Sequence, residues 1–131
     1  MSSLRLNTDG PRSGDYTVKV AHGLAECVRV LNHHTMDADA LPHPSTIHDV
    51  LGAVRTAASG LDQLLRQLDA RLGAMDRTGN LVDASDDDRD AVALTRTWTH
   101  ESREVANHLA YTLDRAFNAS SSLYLRDGGE E

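Results

Sequence analysis

The chain has 131 residues, a length that fits one domain with a single core. Its 20 acidic and 13 basic residues give a formal charge of -7, which disfavours binding to nucleic-acid phosphates and anionic lipid. Only 4% of the residues are aromatic and three are prolines, while 40% are hydrophobic. This composition argues against a turn-rich β-sandwich and against a wholly disordered chain.

The cysteine content and the hydropathy indicate a cytoplasmic protein. Cys27 is the single cysteine, so the chain forms no intramolecular disulfide. The first fifteen residues contain no apolar run of the kind found in a signal peptide, and no stretch of 18 apolar residues occurs. Lys19 is the only lysine among the 13 basic residues, a bias that indicates a bacterial source with GC-rich coding.

Residues 1–14 mix Ser, Asn, Asp, Gly and Pro and predict a flexible N-terminal tail. A first helix is predicted over residues 15–35, where apolar residues recur at steps of three and four. These residues are Tyr16, Val20, Leu24, Cys27, Val28 and Leu31. The predicted helical domain covers residues 15–126, and residues 127–131 are predicted to form a flexible acidic C-terminal tail.

A second, long helix follows a loop that contains Pro42 and Pro44. Thr46 and Asp49 have the spacing of a capping box and predict where the helix starts. The apolar stripe continues in phase across Gly60, so we expect one unbroken helix; a break at Gly60 is the alternative. The stripe consists of Ile47, Val50, Leu51, Val54, Ala57, Ala58, Leu61, Leu64, Leu65, Leu68, Leu72 and Met75.

A third helix is predicted after the stop signal at residues 78–80. Ser85 and Asp88 fit a second capping box, which explains the acidic run there better than a metal site does. The helix is expected to end near Arg126, or earlier at the serines of residues 120–122. Its apolar stripe consists of Ala91, Leu94, Trp98, Ser102, Val105, Ala106, Leu109, Leu113, Ala116, Phe117, Leu123 and Tyr124.

These elements predict an all-α fold. The two long helices form an antiparallel hairpin, and the shorter N-terminal helix covers part of their seam to complete a three-helix bundle. Some apolar surface is left over, and the simplest cover for it is a second copy of the chain, since a twofold axis makes one patch self-complementary. Fraying of the third helix is the alternative.

Four histidines near the first loop, His33, His34, His43 and His48, are candidate zinc ligands because zinc sites gather ligands from loops and helices. They lack the tight pairing of metal-binding motifs, so structural or solvated roles are favoured. No phosphate loop or nucleophile motif occurs, and we expect no cofactor.

One enzymatic alternative comes from Arg103 and His108. Their spacing resembles the Arg-x4-6-His signature of HEPN ribonucleases, α-helical dimers whose arginine and histidine act on RNA at the subunit interface. Here Glu104 follows the arginine, where that family has a small polar residue. Asp62 with Arg66 is expected to form a surface ion pair.

Residues 43–52 and 60–68 resemble a segment of small helical proteins from actinobacterial plasmids, integrative elements and phages. The resemblance implies a mobile-element setting and a helical bundle, and it assigns no catalytic residue. The sequence as a whole favours a non-enzymatic interaction or accessory protein that self-associates and binds another protein through helix faces. A HEPN-like ribonuclease using Arg103 and His108 is the rival hypothesis.

Overall fold

A computed structural model of the chain describes residues 4–85 and 90–126. The described residues are all-α: three α-helices and a short 3-10 turn, with no strand. They divide into two units, Met1–Pro42 and His43–Glu131. The second unit contains the two long helices as a packed hairpin, which confirms the predicted fold class of a helical hairpin preceded by a shorter helix.

The first unit is built on α1, which spans Gly14–His34. Ser13 caps the helix because its side chain accepts a hydrogen bond from the backbone N–H of Tyr16, at 3.2 Å. The Tyr16 hydroxyl accepts a hydrogen bond from the backbone N–H of Asn7 and donates to the carbonyl of Arg5. Leu4 lies against Gly23, where a Cβ would come within 2.6 Å of its side chain. The segment before α1 therefore folds back along this helix.

The long helix α2 spans Pro44–Arg77 without a break at Gly60, as the continuous stripe predicts. Its start differs from the prediction: the helix begins at Pro44, ahead of Thr46, and His43 occupies the N-cap position without a side-chain hydrogen bond. Proline suits the first helical position because its φ is already helical and its missing N–H would have no partner there. Gly79, at φ +79, follows the C-terminus in the left-handed conformation that glycine adopts readily.

The third helix, α3, spans Ala91–Ser120. Its N-cap is Asp90, whose carboxylate accepts a hydrogen bond from the backbone N–H of Ala93 at 3.1 Å. The predicted cap pairs Ser85 with Asp88, and Asp88 lies outside the described residues. The helix ends at Ser120, six residues before the expected end at Arg126 and at the serine run that the alternative prediction names.

Candidate functional site

The seam of the hairpin consists of two rows of residues on each helix. On α2 the rows alternate at steps of three and four through His48, Leu51, Arg55, Ala58, Asp62, Leu65, Asp69 and Leu72. On α3 they run through Val92, Arg96, Thr99, Arg103, Ala106, Ala110, Leu113, Phe117 and Ser120. This seven-residue repeat is the pattern of a coiled coil, and the side-chain contacts between the helices run antiparallel.

One row of α2 forms ion pairs with α3. The Arg103 guanidinium donates a hydrogen bond to the Asp62 carboxylate at 2.7 Å, and Arg96 donates two to Asp69, at 2.8 and 3.2 Å. The hydrogen bond from Arg103 lowers the pKa of Asp62 below its ordinary value, and the bond from Arg96 does the same to the pKa of Asp69. Both carboxylates are therefore held ionised in the folded hairpin.

An aromatic stack continues this row toward the N-terminus of α2. Arg55 is 3.1 Å from Asp114, and its guanidinium lies over the Phe117 ring at 4.2 Å from the centroid. The His48 ring stacks on Phe117 with centroids 4.1 Å apart, and its Nδ1 lies 2.8 Å from the Ser120 hydroxyl. The Ser120 hydroxyl also lies 2.9 Å from the Phe117 carbonyl, to which it can donate a hydrogen bond.

The two proposed ribonuclease residues lie on different sides of α3. Arg103 is in the seam, half-buried and bonded to Asp62. His108 is exposed beside Tyr111, with ring centroids 6.4 Å apart. Five residues of helix separate the two side chains by about 140°. Arg103 crosses the seam to Asp62, which corrects the expectation that Asp62 pairs with Arg66 at the surface. Arg66 contributes a smaller coulombic lowering of the Asp62 pKa.

The four candidate zinc ligands have different settings. His33 and His34 form the last turn of α1, His43 is the N-cap of α2, and His48 is engaged by Phe117 and Ser120. Among residues 4–85 and 90–126, no group of three or more His, Cys, Asp or Glu side chains is arranged to hold a metal ion.

An open depression of about 320 Å³ lies beside the Asp69–Arg96 ion pair. It is lined by Asp69, Arg96, Thr97, His100 and Glu101. It is shallow, and its arginine is already bonded to Asp69. None of the described helices combines the length and the hydropathy needed to cross a membrane.

A second set of apolar residues lies outside the seam. On α2 it includes Ile47, Val50, Val54, Ala57, Leu61, Leu64, Leu68 and Met75, and on α3 it includes Trp98, Val105 and Leu109. In an antiparallel coiled coil, each side of one helix lies next to the corresponding side of the other helix. The ion pairs and the aromatic stack lie on one side of the hairpin, so the apolar residues of α2 and α3 lie together on the other side. We call this surface the apolar face.

Much of the apolar face is accessible in the single chain. Trp98 and Val105 are each 66% exposed and Leu68 is 54% exposed, whereas the seam residues Ala58 and Ala106 are 4% and 6% exposed. A contiguous surface of large apolar side chains is typical of a protein-binding site. These residues belong to the apolar stripes predicted from the sequence, which also contain seam residues such as Leu51 and Ala106. The seven-residue spacing of the charged positions is the signal that separates the two surfaces.

The chain matches no protein-family model, no curated protein and no solved structure.

Proposed function

We propose that this protein is a non-enzymatic helical interaction protein, which self-associates and binds protein partners through the apolar face of the α2–α3 hairpin. The observation that carries the proposal is the exposure of Leu68, Trp98 and Val105 on one side of the hairpin. Burying large side chains such as these contributes about 1.5 to 3 kcal/mol each, so a partner that covers the face gains a substantial driving force.

The distribution of charge supports the same function. The chain contains 20 acidic residues. None of those in α2 and α3 shares a seven-residue row with the residues of the apolar face. The cross-helix ion pairs of Asp62 and Asp69 lie on the opposite flank and are satisfied within the hairpin. A partner that covers the apolar face therefore leaves no carboxylate buried without a counter-ion.

The settings of the polar residues favour binding over catalysis. Arg103, which the ribonuclease hypothesis requires at a scissile phosphate, already donates to Asp62, and His108 lies on another side of the helix. We place the protein in the cytoplasm because it has a single cysteine. The resemblance of residues 43–68 supports a setting on an actinobacterial mobile element.

The solution mass of two matched variants tests the proposal. Leu64 lies on the apolar face and its neighbour Gln63 is exposed outside it, so aspartate is introduced in the same turn in both cases. Light scattering should give the wild type and Gln63→Asp at least twice the 14.3 kDa mass of one chain. Leu64→Asp should have the single-chain mass and keep its helical circular dichroism, because an unpaired charge opposes burial of the face.

Two results would contradict the proposal of self-association. One is a wild type with the mass of a single chain throughout the range from about 1 to 100 μM, where specific oligomers normally form. The other is a Leu64→Asp variant that stays folded and has the same oligomeric mass as the wild type.

A further inference from the structure

The large residues of the apolar face on α2 have an internal symmetry. Ile47, Val54, Leu61, Leu68 and Met75 recur every seven residues, and Leu61 is central both in this row and in α2, Pro44–Arg77. If a second α2 ran antiparallel about a twofold axis at Leu61, each residue would meet an apolar counterpart: Val54 would meet Leu68 of the second copy, and Ile47 its Met75. Closed dimers require this self-complementarity.

The register of the hairpin places an apolar residue of α3 at the same position along the helix axis as Leu61. Asp62 is bonded to Arg103 and Arg55 to Asp114, so the residue of α3 level with Leu61 lies between positions 104 and 108. Val105 falls in this interval, belongs to the apolar face and is 66% exposed. A single axis can therefore pass through both rows of the face.

The charged residues beside the face are complementary under the same axis. Glu101 and His108 lie on the outer flank of α3, four residues before and three residues after Val105, and both are exposed. An antiparallel second α3 would bring Glu101 opposite His108 of the second copy, and symmetry would repeat the contact. The carboxylate would accept a hydrogen bond from the imidazole at each end.

We propose that the apolar face is covered by a second copy of this chain, with α2 against α2 and α3 against α3, both antiparallel, and with the twofold axis passing beside Leu61 and Val105. The two hairpins form a four-helix bundle. This arrangement rests on the proposed function, which requires self-association but specifies neither the orientation nor the register of the copies.

Disulfide trapping in the full chain tests the position of the axis. With Cys27, the sole cysteine, replaced by serine, Leu61→Cys should form a disulfide with itself across the axis under mild oxidation. Val54→Cys alone should not, because the two copies of Val54 would be about 21 Å apart along the helices. An equimolar mixture of Val54→Cys and Leu68→Cys should form a mixed disulfide. Val105→Cys is the second axis probe, used if Leu61→Cys does not fold.

The outcomes separate this inference from the proposed function. A protein with the mass of a dimer that forms no disulfide at either axis probe, or that forms one between two copies of Val54→Cys, would overturn the antiparallel arrangement and leave self-association standing. A wild type with the mass of one chain would overturn both. That result would be expected if α1 of the same chain or a different protein covered the face.

Discussion

Two glycines of α2 differ in the space around them. A Cβ on Gly52 would lie 2.7 Å from a ring carbon of Phe117, whereas a Cβ on Gly60 would meet no atom within 4 Å. Gly52 therefore allows the Phe117 ring to reach its place between His48 and Arg55. Gly60 has no comparable role in the hairpin and only lowers the helix propensity.

We expect opposite effects when these glycines are replaced. Gly60→Ala should raise the free energy of unfolding by about 1 kcal/mol because alanine favours the helix. Gly52→Ala should lower it, because the methyl group displaces Phe117 and the aromatic stack. Urea unfolding of the two variants measures both effects, and an equal gain in stability from the two substitutions would contradict the packing described for Phe117.

The Asp62–Arg103 pair should give the stability of the hairpin a dependence on pH. Because Arg103 lowers the pKa of Asp62 in the folded state, the pair contributes stability above the ordinary carboxyl pKa of 3.8. That contribution is lost as the pH falls from 3.8 past the lower pKa that Asp62 has in the folded protein.

Asp62→Asn should accordingly have a lower thermal midpoint than the wild type at pH 7, and the gap should narrow as the pH falls below 3.8. Asp49→Asn, at an exposed aspartate of the same helix, should change the midpoint much less. A gap between Asp62→Asn and the wild type that stays constant down to pH 2 would show that the ionised pair does not contribute.

Among the elements, the order of charges along the seam fixes how α2 and α3 align. Arg55 faces Asp114, whereas Asp62 and Asp69 face arginines, so the sign of the charge on α2 reverses between positions 55 and 62. A shift of one heptad that brought Arg55 level with Arg103 would place two cations together. The charges therefore select one register of the hairpin.

Exchanging the charges of one pair should test this role. Asp62→Arg alone and Arg103→Asp alone should each lower the thermal midpoint, because each places two like charges in contact in a half-buried seam. The double variant should recover most of the loss. Losses that simply add in the double variant would show that the two side chains do not interact.

The extent of each helix is largely predictable from the sequence, whereas the packed face of α3 is not. Periodic apolar residues located all three helices, and their unbroken phase predicted the continuity of α2 through Gly60. Pro44 began α2 earlier than the capping pattern of Thr46 indicated. These boundaries depend on local backbone chemistry, which a sequence expresses directly.

The packed face of α3 does not follow from its apolar stripe, because some of the largest residues in that stripe lie outside the seam. Trp98 and Leu94 are large but lie outside the seam, whereas the smaller residues Thr99, Ala106 and Ser120 lie in it. Small residues allow the helices to approach closely. The charged residues of the seam form ion pairs with residues of the opposite helix. Neither effect can be identified until both helices are considered in their antiparallel register.

At the scale of the whole molecule, the net charge and the apolar face should have opposite effects on the proposed self-association. Two copies with a charge of -7 each repel one another, while the apolar face attracts. Salt reduces the range of the repulsion from about 10 Å at 0.1 M to about 3 Å at 1 M and leaves apolar burial in place.

Self-association should therefore be as tight or tighter in 1 M NaCl than in 0.1 M NaCl. Sedimentation equilibrium at several loading concentrations measures the dissociation constant at each salt concentration. Dissociation of the oligomer by salt would indicate that ionic contacts hold the copies together, in disagreement with the assignment of the apolar face.

The quenching of Trp98 fluorescence by acrylamide tests most directly whether the apolar face is an interaction surface between copies. Trp98 is the single tryptophan, and it is 66% exposed in one chain. As the protein concentration rises from about 1 to 100 μM, quenching should decrease and the emission should shift to shorter wavelengths. Quenching that stays high and constant over this range, while circular dichroism shows intact helices, would contradict the account.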